Sequence, residues 1–338
     1  MPDGKSQPTR SLYQLLPLKY FVVFVTAFLI FGYWQWHYSF GDPDAFYHAK
    51  IAEFLSQGKI LRQLPWMHFS TLRDNFADHH FFYHLLLAPF LYLGNALLGI
   101  KIATITFSAL SVTAVYWYLK REGNNWAWLV PIMLFISSAW AFRLGLVKAN
   151  ALSLAMLMVL LVCLQRQWRW RLFIMQVLYV WLYGGWILGW GVVGLWWLIH
   201  FFWPGSRGTF WQRLNRQQTG VMILVVLAAT ISGVVLHPNW PANFWLYWQQ
   251  IVQIGLFDQA ASLNAGAEWF PLDRTQLLTF HLYVFPLVLS VLATTIFYYR
   301  RWQPRQWLHL VLALVFIVFT YRSRRYIELS VTIVLIAA

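Results

Sequence analysis

Long apolar runs alternate with short polar segments along the 338 residues of this chain. A helix that crosses a bilayer needs roughly 20 mainly apolar residues. The pattern therefore predicts an all-α fold, that of a polytopic integral membrane protein with a single transmembrane domain over residues 1–338. We expect about 10 membrane-spanning helices on this rule, near residues 18–39, 96–119, 126–142, 150–164, 172–185, 187–203, 219–236, 281–299, 307–321 and 326–338.

The parity of the crossings decides two ambiguous regions. Residues 172–203 are long for one helix and short for two, but the basic loops on both sides of them should share a side, which requires two crossings. Residues 81–95 are apolar enough to span, yet a crossing there would put the acidic segment 42–78 beside the basic loop at Lys120. We predict instead interfacial helices bent at Pro89. The two outer loops are then residues 40–95 and 237–280.

Composition supports a membrane protein and argues against a nucleic-acid partner. Apolar residues make up 60% of the chain and charged residues 11%, whereas soluble domains are about a quarter charged. The formal charge is +14, from 25 basic and 11 acidic residues. Most basic residues lie in short loops, the distribution typical of cytoplasmic loops. The lone Cys163 excludes an internal disulfide, and residues 18–38 lack a following cleavage site, so they are predicted to be a retained first span.

Carboxylates are concentrated in the two predicted outer loops. Eight of the 11 acidic residues lie there, a concentration that favours chemistry on one face of the membrane over a role in solubility. They are Asp42, Asp44, Glu53, Asp74, Asp78, Asp258, Glu268 and Asp273.

The segment directly after the first span is the first candidate site. Asp42 precedes Pro43, which is a good helix start, and Asp44 and His48 are four residues apart on one helical face. A carboxylate at this position could ligate a divalent cation or act as a base. A plain N-cap followed by an amphipathic helix explains the same residues equally well.

Two further segments carry candidate groups. Asp78, His79 and His80 are followed one turn later by His84, a set that could bind phosphate or orient Asp42. A zinc site is conceivable there, but no HExxH or cysteine set accompanies these histidines. In the second outer loop, Glu268 is a single carboxylate among small residues, and most such loops are simple connectors.

Several basic residues lie on the outer side, against the positive-inside trend. They are suited to clamp a phosphate or pyrophosphate, which guanidinium groups bind well. Snorkelling toward lipid headgroups is the alternative explanation. These residues are Arg143, Lys148, Arg322, Arg324 and Arg325.

The order of these motifs resembles the membrane domain of the catalytic subunit of oligosaccharyltransferases, within the GT-C glycosyltransferase superfamily. The resemblance implies that Asp42, with Asp44 nearby, matches the family's essential aspartate. The segment from Ala77 to His80 is similar to the family's VDHH-like segment. Glu268 matches the glutamate of its SVSE or TIxE loop, and Arg325 best matches the arginine that contacts the lipid-linked pyrophosphate, with Arg324 as the second choice.

The sequence also departs from this family. A second acidic pair that binds metal is expected after an SRS-like turn, but the corresponding stretch 142–150 has Asn150 where an aspartate is expected. The soluble domain with a WWDYG motif, which selects acceptor sequons, is absent from these residues. The apolar run that ends at Ala338 is typical of a fragment of a longer protein.

We therefore predict a GT-C type membrane glycosyltransferase that transfers a sugar or glycan from a polyprenyl phosphate- or pyrophosphate-linked donor. The site is expected on the extracytoplasmic side of a bacterial or archaeal plasma membrane. A transporter or flippase of lipid-linked saccharides is the alternative, and it predicts charges at the membrane midplane and internal symmetry. A scaffold subunit, in which Asp42 would have no role, is a third possibility.

The predicted site has three groups of residues. The catalytic residues are Asp42, Asp44 and Glu268. Asp42 and Glu268 are also the predicted ligands of a divalent cation, Mg²⁺ or Mn²⁺. The substrate-binding residues are His48, Asp78, His79, His80, Arg143, Lys148, Arg324 and Arg325.

Overall fold

The computed structural model describes residues 18–36, 39–202, 219–257 and 266–338, and every regular element in these ranges is helical. Asp258 of the second predicted outer loop and the basic residues of segment 203–218 lie outside these ranges. We number the described α-helices α1 Leu18–Trp34, α2 Asp44–Ser56, α3 Phe81–Leu87, α4 Ala96–Arg121, α5 Leu129–Ile136, α6 Ser138–Leu144, α7 Asn150–Gln165, α8 Arg169–Leu182, α9 Ile187–Phe202, α10 Thr219–Val235, α11 Ala242–Tyr247, α12 Arg274–Tyr298, α13 Pro304–Arg322 and α14 Ile327–Ala337.

The all-helical fold agrees with the sequence, but the predicted number of about ten spans is not confirmed. Within the described ranges, three helical segments are long and apolar enough to cross a membrane. Five more helical segments are apolar but only 10–17 residues long. The three long segments are Ala96–Arg121, Arg274–Arg301 and Pro304–Arg322.

Two predicted spans differ from the structure because local backbone signals override the apolar run. The run 126–142 is divided at Ser137, whose backbone is extended (ψ 98°), into α5 and α6. The run 281–299 instead begins at Arg274, because Asp273 and Gln276 form a capping box that starts α12 seven residues earlier. The long run 172–203 does form two helices, α8 and α9, as the parity argument requires.

Helix α4 forms the centre of the bundle. It packs against α1 on one side and α7 on the other, and its residues Ile100, Ala103 and Val112 are fully buried. Its 26 residues, at about 1.5 Å per residue, span roughly 39 Å, so it connects two distant ends of the molecule. Arg121 at its C-terminal end lies in a cavity with Arg166 and Arg305, whose basic loops were predicted to share the cytoplasmic side.

Helix α14 is buried on all sides. Every residue from Ile327 to Ile336 is buried, including Glu328. The helix packs against α13 and α6. Along these residues the segment is therefore enclosed by other parts of the protein.

The first outer loop folds into short helices, as expected for residues 40–95. Helices α2 and α3 pack on each other and on α4, and α3 continues as the 3-10 helix Ala88–Tyr92, which contains Pro89. Asn239 of the second outer loop bonds to the segment between α2 and α3. Its side chain donates to the Leu61 carbonyl at 2.8 Å and accepts from the Asp78 backbone N–H at 3.2 Å. The two outer loops therefore meet at the same end of the bundle.

Gly99 permits a close backbone approach that should be sensitive to mutation. A Cβ atom at Gly99 would overlap the carbonyl group of Phe90, where the 3-10 helix crosses α4. We expect Gly99→Ala to destabilise the protein by about 1–3 kcal/mol, because backbone on both sides must move. Thermal unfolding of the detergent-purified protein, followed by tryptophan fluorescence, measures this change.

Gly191→Ala is the matched control. Gly191 lies inside α9 with open space where its Cβ would be, and alanine is a better helix former by about 1 kcal/mol. Its melting temperature should be unchanged or slightly higher. Equal destabilisation by both variants would contradict the close contact at Gly99.

Candidate functional site

A cavity of ≈ 1070 Å³ opens at the end of the bundle where the two outer loops meet. Several short elements contribute its polar side chains: the start of α2, the end of α6, the loop before α7, the 3-10 helix Ala267–Trp269 and the turn before α14. Seven of the predicted site residues line it: Asp42, Asp44, His79, Arg143, Lys148, Glu268 and Arg324.

The ammonium group of Lys148 lies among three carboxylates. Its Nζ is 3.0 Å from Asp42 Oδ2, 2.8 Å from Asp44 Oδ2 and 3.4 Å from Glu268 Oε2. Asp42 and Asp44 are held together at the helix start, where Asp42 Oδ1 accepts the Asp44 backbone N–H at 2.8 Å. One lysine thus joins the predicted catalytic residues of both outer loops.

Arg143 connects the same cluster to the buried helix α14. Its Nε and Nη2 donate to the two carboxylate oxygens of Glu328 at 3.0 and 3.2 Å, a bidentate pair. Its Nη1 donates to Glu268 at 3.2 Å, and Nη2 reaches the Arg325 carbonyl at 3.5 Å. Arg143, predicted to bind substrate, therefore donates four hydrogen bonds to three groups of the protein and anchors Glu268.

Glu268 is an ionised carboxylate in this setting. Burial alone would raise the pKa of Glu268, but the positive charges of Arg325, Lys148 and Arg143 outweigh it and hold the pKa at about 2. Ser323 fixes the backbone here, since its hydroxyl donates to the Glu268 carbonyl at 2.7 Å. The carboxylate is therefore charged at neutral pH.

The two arginines after α13 point to different surroundings. Arg324 lines the cavity; its Nη2 donates to the Pro271 carbonyl at 3.1 Å, while its buried Nε has no hydrogen-bond partner. The guanidinium of Arg325 lies 3.9 Å from the ring centre of Trp269, and its Nη2 donates to the Tyr183 hydroxyl at 3.3 Å. Of the two, Arg324 keeps donor capacity at the cavity wall.

A chain of buried side chains supports the start of α2 from behind. His84 Nδ1 is 2.8 Å from both carboxylate oxygens of Asp78, and His84 Nε2 is 2.7 Å from His48 Nδ1. Burial, and then the neighbouring His84, hold the pKa of His48 well below its usual range, so this ring is neutral at pH 7. His80 bonds the Leu182 carbonyl at 3.0 Å instead.

The structure therefore separates the predicted substrate-binding histidines. His48, Asp78 and His80 are engaged behind the cavity wall and do not line it. His79 does line the cavity, and its buried Nδ1 has no hydrogen-bond partner. His79 is thus the histidine of this segment that the fold presents to a ligand.

The side chains present do not fit a divalent cation at the predicted position. Asp42 and Glu268, the two predicted ligands, both bond to the Lys148 ammonium, which fills the space between them. No group of three or more His, Cys, Asp or Glu side chains among the described residues is arranged to hold a metal ion. Asn150, which replaces an expected acid, is buried in the first turn of α7. The metal requirement stays a prediction from the sequence.

Comparison with known proteins shows a likeness of fold. No protein-family model matches the chain, and no curated protein matches it. Among solved structures, it is similar to the archaeal oligosaccharyltransferase AglB from Archaeoglobus fulgidus, determined in complex with an inhibitory peptide and a dolichol-phosphate. The TM-score is 0.65 at 12% identity, over 97% of this chain and 50% of that chain.

This similarity confirms the predicted resemblance at the level of fold. The chain has an oligosaccharyltransferase-like helical fold and spans half the length of the AglB chain. Its apolar helices agree with a membrane protein. Membership of the GT-C superfamily stays a prediction.

Sequence reasoning missed two residues that organise the site, Glu328 and His84. Glu328 is the one acidic residue in the otherwise apolar run 326–338. An ionisable residue in an apolar span is expected to have a partner and a function, and this signal would have identified it. His84 was noted only as a neighbour of His80, since spacing within one helix cannot reveal that its partner is His48 of another.

Glu328→Ala should destabilise the protein strongly. It would leave the guanidinium of Arg143 buried without its bidentate partner, and breaking one side of a buried pair costs about 3–5 kcal/mol. The readout is thermal unfolding of the purified protein.

Glu53→Ala serves as the control, because Glu53 forms an exposed pair with Lys50 at 3.0 Å and such pairs contribute about 0–1 kcal/mol. A melting temperature for Glu328→Ala that equals that of the control would show that the Arg143 pair does not stabilise the fold.

Proposed function

We propose that this protein is a membrane glycosyltransferase that takes a sugar or glycan from a lipid phosphate- or pyrophosphate-linked donor. The observation that carries the proposal is the cavity of ≈ 1070 Å³ that Asp42, Asp44, Glu268 and Arg324 line together. The likeness to an oligosaccharyltransferase solved with a dolichol-phosphate supports the choice of donor. A donor with a polyprenyl chain would reach this cavity from the surrounding lipid.

The chemistry of glycosyl transfer needs two kinds of group. The acceptor nucleophile attacks the anomeric carbon as the bond from that carbon to the phosphate oxygen breaks, and the leaving phosphate gains negative charge. Asp42 and Asp44 would orient the acceptor and accept its proton. Arg324, whose side chain lines the cavity, would stabilise the charge that grows on the phosphate.

The remaining site residues would hold these groups in place. Arg143 and Lys148 fix Glu268, and Lys148 also fixes both aspartates. His79, which lines the cavity, would contact the donor. Arg325, stacked on Trp269, would add positive charge behind Glu268 rather than direct contact.

The proposed side of action is extracytoplasmic. The basic loops at Arg121, Arg166 and Arg305 meet at the opposite end of α4 from the cavity, and loops rich in Lys and Arg are typically cytoplasmic. The bacterial or archaeal plasma membrane and the GT-C type of the enzyme belong to this proposal as well.

Asp42→Asn is the most direct test. The amide keeps the shape of the helix start and the bond to the Asp44 backbone N–H, but it removes the proton acceptor, so sugar transfer from a polyprenyl phosphate- or pyrophosphate-linked donor should be abolished. Transfer is measured with purified protein in liposomes containing the labelled donor.

The control for this variant is Asp74→Asn, since Asp74 is exposed in the same outer loop and its nearest basic partner, Arg73, is 3.9 Å away. Both variants should insert and unfold like the parent protein. Near-normal transfer by Asp42→Asn would refute the assignment of Asp42.

Arg324→Ala should lower transfer because the leaving phosphate loses its cationic partner. Removing such a donor costs about 2–4 kcal/mol in the transition state, which corresponds to roughly 100-fold in kcat/KM for the lipid-linked donor. Arg324→Lys should recover only part of the rate, since lysine lacks the bidentate fork. Steady-state kinetics with varied donor concentration give these values.

Arg325→Ala provides the comparison on the neighbouring residue. The resemblance of sequence favours Arg325 as the phosphate ligand, whereas the cavity lining favours Arg324. A larger loss in Arg325→Ala than in Arg324→Ala would reverse the assignment made here.

A further inference from the structure

Lys148 lies where a cation is required by the charges around it. Three carboxylates from two distant loops converge on one point, and like charges this close repel unless a cation lies between them. The Lys148 ammonium lies within 3.4 Å of all three carboxylates, whereas Arg143 contacts Glu268 alone among them. The site thus has its counter-ion built into the chain.

We infer that the Lys148 ammonium takes the place of a divalent cation in this cavity, and that the site is organised without a bound metal. The role of Lys148 in sugar transfer rests on the proposed function, but the inference that its ammonium occupies the cation position does not. Lys148 is then a positioning residue, which holds Asp42, Asp44 and Glu268 in one arrangement.

The geometry of an ammonium group matches this role. It has three N–H donors and no acceptor, and here three different carboxylates are available to it. The separations of 2.8 to 3.4 Å are hydrogen-bond distances, whereas Mg²⁺ requires oxygens at about 2.0–2.1 Å. A divalent ion could enter only if the positively charged Nζ left the same space.

The backbone around Lys148 restricts such a withdrawal. The residues on either side, Val147 and Ala149, are buried, and the Lys148 backbone N–H donates to the Leu146 carbonyl at 2.8 Å. The Lys148 side chain itself is only 13% exposed. Both its anchor and its stem are therefore fixed against the protein.

Because the Lys148 ammonium carries a single positive charge, it interacts with the carboxylates differently from a divalent metal ion. Glu268 is shared with Arg143, while Asp44 keeps half of its side chain exposed to the cavity. A tethered monovalent cation attracts a carboxylate less than a divalent ion at shorter distance does. Asp42 and Asp44 are therefore held less tightly by Lys148 than they would be by a divalent ion.

The test measures metal binding with Mn²⁺ as the probe. Electron paramagnetic resonance of purified full-length protein titrated with Mn²⁺ should show no site competed by Mg²⁺ in the parent protein. Lys148→Ala frees three converging carboxylates and should bind one Mn²⁺ at least roughly tenfold tighter than the parent. Adding Asp42→Asn to Lys148→Ala should weaken that site again.

Lys50→Ala is the matched control, because Lys50 also pairs with a carboxylate, Glu53, but with only one and on an exposed face. It should create no Mn²⁺ site. Transfer by the parent protein should be unchanged in excess EDTA, while Lys148→Ala should lose transfer and regain part of it with Mg²⁺ or Mn²⁺.

One Mn²⁺ bound to the parent protein, displaced by Mg²⁺ and lost in Asp42→Asn, would overturn the inference, and this measurement needs no Lys148 variant. Failure of Lys148→Ala to gain a site while folding normally would also count against it. If the parent protein transferred sugar from no lipid-linked donor, the proposed function would fail, yet the Mn²⁺ titrations would still decide the role of Lys148.

Discussion

The buried pair between Arg143 and Glu328 is the interaction on which the rest of the site depends. It joins the short helix α6 to the enclosed helix α14. The same guanidinium reaches Glu268 of the second outer loop, and Glu268 then contacts Lys148 beside the start of α2. Four segments distant in sequence are therefore tied through one arginine. Desolvating these charges is costly unless each is paired, so the network holds as a unit.

The position of Arg143 in turn follows from the interruption at Ser137. An unbroken helix through 126–142 would continue the direction of α5, whereas the extended residue allows α6 to start afresh. Short helices and loops make up most of the cavity wall, and long helices make up the bundle that carries it. This division is the usual one between a rigid scaffold and a polar site at its end.

The sequence correctly predicted the fold class and the end of the helical bundle at which the candidate site residues meet. The length of the apolar runs predicted the all-helical fold, and the parity of crossings predicted that Asp42 and Glu268 would share an end, where both now contact Lys148. It could not assign partners. From the sequence, Lys148 was predicted to bind phosphate, whereas the structure shows that its partners are three carboxylates. The sequence analysis also did not predict where helices begin and end, because a single extended residue or a capping box leaves the hydropathy of a run unchanged.

The enclosure of α14 has a consequence for biogenesis. An apolar helix with a carboxylate in its first turn is a poor candidate for independent partition into lipid, because an unpaired charge there is expensive. Glu328 is compensated only once α6 presents Arg143. We therefore expect this segment to pack only after α6 is in place, so that this end of the bundle assembles in sequence and formation of the ion pair completes it.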